Sequence, residues 1–280
     1  MSNELFIIVV SFNTCAQTRR CLHGLIKYTD RPYHIGVVDN ASQDGSWSML
    51  QEFASAYPDR ISTAQNSANS GYARAADSMR RLAPPGCDIC HVNSDVYVGP
   101  AWASRLQQQL YRETGVAAVA PLGRGIGGWQ DFNNYHPNEC PDHYDEAVVN
   151  DINQRLTNSQ PCAVTAKSLQ GTIWMVKEDA YRTLGGLDPG CECGADDADW
   201  SLRARLQGWK LLVALNTFVW HDDHSSFSTL QDQGQSWIDR SWYYFNHKWT
   251  GQFDHLTWAD LMESPLATET PHYRYEEFFS

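Results

Sequence analysis

No apolar run in these 280 residues approaches the ~20 needed to cross a bilayer, so no membrane-spanning segment is expected. The opening Met1-Ser2-Asn3-Glu4 brings neither a basic start nor a small-residue cleavage site. It reads as a poor signal peptide, and the expected location is the cytoplasm, with a peripheral place on the inner face of a membrane left open. Positive charge is scarce: 21 Lys and Arg face 33 Asp and Glu, for a net charge of -12. A surface this acidic argues against nucleic acid and against a strongly anionic membrane as partners, and favours ligands that are small, neutral or accompanied by a cation. There is no internal repeat and no low-complexity run.

Two nucleotide-binding motifs are also missing. The loop Ser11-Phe12-Asn13-Thr14-Cys15 after the first apolar run contains no glycine, which removes the GxGxxG approach of a dinucleotide-binding dehydrogenase although Asp39 stands where an acid would take ribose hydroxyls. GxxxxGK[ST] is absent, which excludes a P-loop, and the same loop lacks the basic glycine-rich character of a nucleotidyltransferase. Eight cysteines without an export signal are expected as free thiols. Cys87-x-x-Cys90 with Cys191-x-Cys193 is a poor zinc set, because Cys90 falls inside a buried strand and the CxC spacing is unusual for a finger.

What is present is alternation. Leu5 to Ser11 is a β-branched run suited to a strand covered on both faces, and a helical segment follows to Tyr28. Strands at His34–Asp39, Ile61–Gln65, Asp88–Asn93 and Val116–Ala120 alternate with helices ending near Tyr57, Leu82 and Tyr111. This βαβ series predicts an α/β fold with a Rossmann-like, mostly parallel, doubly wound sheet and helices on both faces. Pro121 to Asp145 is irregular and long enough for a lid or binding loop, or for a plain surface insertion. Strand-like Ser168–Val176, helix Lys177–Leu184, a helix from Asp196 closed by Gly208, and short strands Lys210–Ala214 and Thr217–Trp220 complete the order. The expected division is a domain over 1–230, with halves 1–120 and 121–230, and 231–280 as an extension packed on it. In that extension Trp242, Phe245 and Trp249 share one helical face, and the final segment around Tyr273 to Phe279 offers at most a docking or dimerisation strand.

Open α/β sheets bind ligands at the carboxyl edge. Strand ends deliver Asp39, Asn93, Asp95 and His221 there, joined by the Asp196 to Asp199 cluster. Oxygen ligands with one imidazole fit Mn2+ or Mg2+, the histidine tilting the choice towards manganese, and such an ion would neutralise a diphosphate. The acids also have an ordinary reading, since carboxylates favour the first turn of a helix and Asp199 can pair with Arg203.

The succession Ile8 to Asn13, Val38-Asp39-Asn40-Ala41-Ser42-Gln43-Asp44-Gly45-Ser46, Asn69-Ser70-Gly71-Tyr72-Ala73, and Val92-Asn93-Ser94-Asp95 resembles the family 2 glycosyltransferases of the GT-A fold, in their rhamnosyltransferase-like branch. Gly171, Gly185-Gly186-Leu187-Asp188, Asp197-Ala198-Asp199, Gly208-Trp209 and His221 continue the resemblance, which covers roughly residues 5 to 251. It implies a metal-dependent, inverting transfer of a sugar from a UDP- or dTDP-sugar to the hydroxyl of a glycan, a lipid-linked saccharide or another acceptor. Ser11, Phe12, Asn13, Asp39, Asn69, Gly71, Asn93, Ser94 and Asp95 would then bind the donor, Asp39 meeting the base. Asp95 and His221 would hold the metal, with His224 as substitute. Asp197 would be the general base, and Asp196 and Trp174 would stand on the acceptor side, under the Gly125 to Tyr144 loop. Arg240 or Lys248 would reach the diphosphate, and a homodimer is open. The sequence departs from the family pattern at Asp77, Met79 and Cys191-Glu192-Cys193. The competing expectation is a catalytically silent sugar-nucleotide-binding or scaffold protein on the same fold.

Overall fold

The computed structural model describes residues 4–222 and 232–249, with side chains in the latter segment from 236 onward. The expected alternation forms. Strands β1 (Leu5–Ser11), β2 (Tyr33–Asp39), β3 (Ile61–Gln65), β4 (Asp88–Asn93), β5 (Val96–Val98), β6 (Val116–Arg124), β7 (Ala163–Ala166), β8 (Ile173–Val176) and β9 (Lys210–His221) make one nine-stranded sheet. Its order is β3-β2-β1-β4-β8-β6-β9-β5, with β7 on the side of β9. The first four strands and β6 and β9 share one direction, whereas β8 runs against both β4 and β6, and β5 and β7 run against β9. All seven residues of β1 are buried, as its unbroken apolar run demands of a strand flanked on both sides and covered on both faces.

Helices α1 (Cys15–Tyr28), α2 (Ser46–Ala56), α3 (Tyr72–Arg80), α4 (Trp102–Leu110), α5 (Glu146–Leu156), α6 (Glu178–Leu184), α7 (Asp196–Leu206) and α8 (Asp232–Trp249) complete the chain, with 3-10 turns at Gly128–Gln130 and Phe132–Asn134. Three features depart from the sequence expectation. The strand expected over 168–176 shortens to β8, because Gln170-Gly171-Thr172 turns aside to line a cleft. The two strands expected after Gly208 are one strand, β9, and a register shift against β6 between Pro121 and Leu122 absorbs the irregularity. Helix α5 and strand β7 arise where no element was expected. Asp145 starts α5 by accepting a hydrogen bond from the Ala147 N–H, an ordinary aspartate cap.

Around the sheet lies one large apolar cluster that includes Trp102, Trp174 and Trp200. A second, smaller one joins α7 to α8: Phe245 is buried among Cys191, Ala195, Ala198 and Leu202, with Trp242 and Trp249 against it. Full burial of a phenylalanine is worth about 1.5–3 kcal/mol, so this seam is strong enough to seat the helix. Among the described residues no helix is long and apolar enough to cross a membrane.

Candidate active site

A cleft of about 220 Å³ opens at the carboxyl ends of β1 and β4. Val10 and Phe12 reach it from the end of β1, Asn40 from the turn after β2, and Asn69, Gly71 and Tyr72 from the start of α3. Asn93, Ser94 and Asp95 form its wall between β4 and β5, Gln170 to Thr172 enter before β8, and Cys193, Gly194, Asp196 and Asp197 come from the head of α7. Trp237 of α8 closes the lining.

On the side of β2, Asp39 is fully buried. Its Oδ2 accepts from the Ser42 N–H and the Gln65 amide at 3.3 and 3.0 Å, whereas Oδ1 is buried with no hydrogen-bond partner among the described residues. A buried carboxylate oxygen without a donor is costly, and this one lies behind the cleft wall at Asn40. Asn40 ties the rim together: its amide donates to Asn69 Oδ1 at 2.7 Å, and its Oδ1 accepts from the Asn66 amide and the Ser70 N–H. Gly71 adopts φ +80°, and a Cβ there would lie 2.5 Å from the Glu192 carbonyl oxygen, which accepts the Tyr72 N–H at 2.7 Å. Only glycine permits that approach. Ser11, Asn13 and Asp39 do not line the cleft, Asp39 lying buried behind Asn40. The Ser11 hydroxyl is buried against Thr18, and Asn13 clasps the turn after β2 through Gln43 N–H and Ser42 Oγ. Both shape the loop that carries Phe12. Ser94 bonds Thr14 Oγ1 at 3.1 Å, which fixes the wall next to Asp95.

Asp95 and His221 meet because β5 pairs antiparallel with β9 and sets Val96 opposite His221. The two side chains are almost buried, with His221 Nε2 3.3 Å from Asp95 Oδ1. His221 Nδ1 lies 2.8 Å from the Gly125 carbonyl oxygen, which can only accept, so Nδ1 carries a proton and Nε2 is the ring atom turned to Asp95, as a donor to the carboxylate or, without its proton, as a ligand beside it. That carbonyl buttress is the usual support of a metal-ligating imidazole, and a 3.3 Å spacing suits two adjacent ligands about 2.1 Å from one ion. The pair therefore fits a divalent cation. No group of three or more His, Cys, Asp or Glu placed to share a metal occurs among the described residues, so the remaining positions would fall to the ligand's own oxygens. His224 lies outside the described residues. Among the described residues no Lys or Arg lines the cleft.

Asp196 and Asp197 stand together in the first turn of α7, which Ala195 enters with φ +62°. Burial pushes the Asp196 carboxyl up to about 8, its neighbour's charge adding to the effect and the Gly194 N–H opposing it. Burial raises Asp197 as well, but two amides hold its charged form: Gly171 N–H on Oδ2 and Ala198 N–H on Oδ1, both at 2.7 Å. Burial therefore favours the proton on Asp196, while the two amides favour the charged form of Asp197. Gly171 allows this, since even a Cβ there would sit 3.3 Å from the Asp197 Cβ. The peptide before it is gripped by fully buried Gln130, whose Oε1 accepts the Gln170 N–H at 2.6 Å and whose amide donates to the Gln170 carbonyl. Asp199, by contrast, is wholly structural: it takes Arg203 Nε, as the helical spacing implied, and also Lys248 Nζ and Trp249 Nε1 of α8.

Several expectations are corrected. Trp174 does not face the cleft, because it sits in the middle of the sheet, stacked on His91 and edge-on to Trp200. The loop after β6 contributes no lining residue; it acts from behind, through the Gly125 carbonyl and Gln130. Lys248 is held between Asp188 and Asp199, and Arg240 by Glu192, so neither is free for a diphosphate. The Cys191-Glu192-Cys193 segment, unexplained by sequence, is a joint: it docks on Tyr72 through the Glu192 carbonyl and on Ser241 through the Cys193 N–H. Sequence reading missed Asn40, Tyr72, Gln170, Thr172, Cys193, Gly194 and Trp237 as lining. Asn40 and Tyr72 at least adjoin residues singled out by motif; Trp237 had no signal beyond its place in an aromatic tail.

A Rossmann-like sheet whose carboxyl edge gathers these groups defines a protein of the GT-A fold, and solved structures of that fold superimpose on it. The mannosyltransferase PcManGT from Pyrobaculum calidifontis, in complex with GDP-Man and Mn2+, matches with a TM-score of 0.60 at 18% identity over 86% of this chain and 61% of that one. GalNAc-T7 with UDP, GalNAc and Mn2+ matches with a TM-score of 0.61 at 18% identity over 78% of this chain and 44% of that one. The chain belongs to glycosyl transferase family 2, whose family model matches residues 6–185. Glycosyltransferase AglE of Haloferax volcanii is 22% identical over 219 residues, 77% of this chain and 66% of AglE. The chain thus spans just under two thirds of these relatives, or less.

Proposed function

We propose that the protein is a metal-dependent, inverting glycosyltransferase that moves a sugar from a UDP- or dTDP-sugar to an acceptor hydroxyl. The observation that carries this is one cleft holding both the Asp95 wall, backed by His221, and the Asp197 carboxylate fixed by two amides. Family membership and the Mn2+ and nucleotide-sugar complexes of the structural neighbours support it. The absence of Lys and Arg from the described lining supports metal dependence, since a diphosphate must bring its counter-charge. For the nucleotide, the single unpartnered oxygen of Asp39 suits a base with a ring N–H, which uracil, thymine and guanine carry and adenine and cytosine lack; the choice of UDP or dTDP rests on the family resemblance. In the same reading residues 1–120 hold the donor, 121–230 serve the acceptor, and the α8 extension marks the rhamnosyltransferase-like branch.

In the reaction, the acceptor oxygen attacks the anomeric carbon from the face opposite the diphosphate. Asp197 removes its proton as the new bond forms and the bond to the leaving oxygen breaks, which inverts the centre. A raised carboxylate suits this work, because a base closer to neutral pH pulls harder on the proton. Neutral Asp196 spares the site a second negative charge and can donate a hydrogen bond. Asp95 and His221 would hold the cation, which, when bound, offsets the negative charge of the departing diphosphate.

Incubation with Mn2+ and a panel of sugar nucleotides is expected to release nucleoside diphosphate. Asp197→Asn is expected to bind donor and release about 1,000-fold less, if proton removal and its charge both matter. Undiminished turnover in that variant would remove Asp197 from the mechanism. Donor binding by calorimetry with no turnover for any acceptor would establish the silent, binding-only alternative instead.

A further inference from the structure

On the acid-pair side, the cleft has a feature that the chemistry above leaves unused: the indole of Trp237. It stands in a half-buried wall with Cys193, Gly194, Asp196 and Asp197. Its place there is built. The Trp237 carbonyl accepts from Ser241 Oγ at 2.9 Å, Ser241 Oγ accepts the Cys193 N–H at 3.0 Å, and the next residue, Gly194, donates to Asp196. Arg240 lies over the indole, 6.0 Å from its centroid, and is itself tied to Glu192 and Ser236, so the ring is braced rather than loose.

A braced indole face beside carboxyl and amide side chains is the chemistry that recognises a pyranose, whose C–H face lies on the ring while its hydroxyls bond the planar polar groups. Here those groups are Asp196, Asp197 and Gln170, with the Thr172 hydroxyl beside them. Charge narrows the class further. The described lining has no Lys or Arg, Arg240 is spent on Glu192, and a carboxylate sits at the reacting point, so an acceptor ring bearing phosphate or carboxylate would meet repulsion without compensation.

Resting on the glycosyltransferase reading, we propose that Trp237 is the platform of an acceptor subsite and that the acceptor presents a neutral pyranose ring, not a peptide or simple alkyl hydroxyl. The wall supplied by α8 then sets acceptor choice, while the sheet edge serves the donor.

The test uses the full chain with UDP and Mn2+ and a set of probes: methyl glycosides of glucose, galactose, mannose and N-acetylglucosamine, against methyl glucuronide, a serine-containing peptide and glycerol. Binding is followed by saturation-transfer NMR and calorimetry. At least one neutral glycoside is expected to bind and the controls not. Trp237→Ala is expected to weaken that glycoside about 10-fold, the size of a lost aromatic stacking contact with its buried area, and Trp237→Phe about threefold or less. UDP binding in both variants should stay within about twofold, which also reports that the variants are folded. Glycoside binding unchanged in Trp237→Ala, binding of the peptide or glucuronide in preference, or no glycoside bound at millimolar concentration would each overturn the proposal while leaving the donor reading intact. Loss of UDP binding by the unaltered protein would instead overturn the donor reading on which it rests.

Discussion

Replacing Gln130 with Met tests whether the base is set from behind. The substitution conserves length and burial but removes an acceptor 2.6 Å from the Gln170 N–H and a donor to the Gln170 carbonyl. Gln130 does not itself line the cleft; it is wholly buried and bonds Gln170, which does. Its effect on chemistry passes through one peptide, because the next amide, Gly171 N–H, is one of two that hold the charged form of Asp197. Losing the pair of bonds costs roughly 1–3 kcal/mol. Expressed in the barrier, that is about a 5- to 150-fold fall in kcat. With the Gly171 amide less firmly placed, the Asp197 carboxyl rises further, so the acid limb of the kcat–pH profile moves to higher pH. The donor KM should not change, since the Asn40 rim and the Asp95 wall are untouched. Steady-state kinetics from pH 5 to 9, with near-ultraviolet circular dichroism as the control of fold, provides the assay. A folded variant with normal kcat and an unmoved acid limb refutes the reasoning, and so does a rise in donor KM alone.

Two further predictions concern stability. Gly71→Ala combines a backbone region that is nearly glycine-only with a Cβ 2.5 Å from the Glu192 carbonyl, and should cost roughly 2–4 kcal/mol, lowering the Tm by about 4–16 °C. A Tm within about 1 °C of the unaltered protein would show that the joint between α3 and the loop before α7 is soft. Asp196→Asn reads the raised carboxyl directly. The folded state holds that proton up to about 8, far above the unfolded value, so the group's stabilising contribution is whole at low pH and is lost as pH rises through 8. The variant should therefore gain stability relative to the unaltered protein between pH 5 and pH 8.5, and a pH-independent difference in thermal unfolding would contradict the assignment.

Much of this architecture is written along the chain. The all-buried β1, the acids at strand ends and the glycine of Asn69-Ser70-Gly71 follow from local periodicity and turn chemistry, which need no knowledge of what packs where. Even the pairing of Asp199 with Arg203 is a matter of helical spacing. Other assignments depended on neighbours brought from far away. Three aspartates within four residues look alike in sequence, yet Asp199 is paired with Arg203 and Lys248, burial favours the proton on Asp196, and an amide 26 residues upstream favours the charged form of Asp197. Trp174 and Trp237 are both indoles, and only the antiparallel insertion of β8 and the docking of α8 sent one into the core and the other to the cleft. The sequence by itself determined the elements and the chemistry available at their ends; tertiary structure alone decided which group is charged and which faces the ligand, because burial and long-range hydrogen bonds, not residue type, set both.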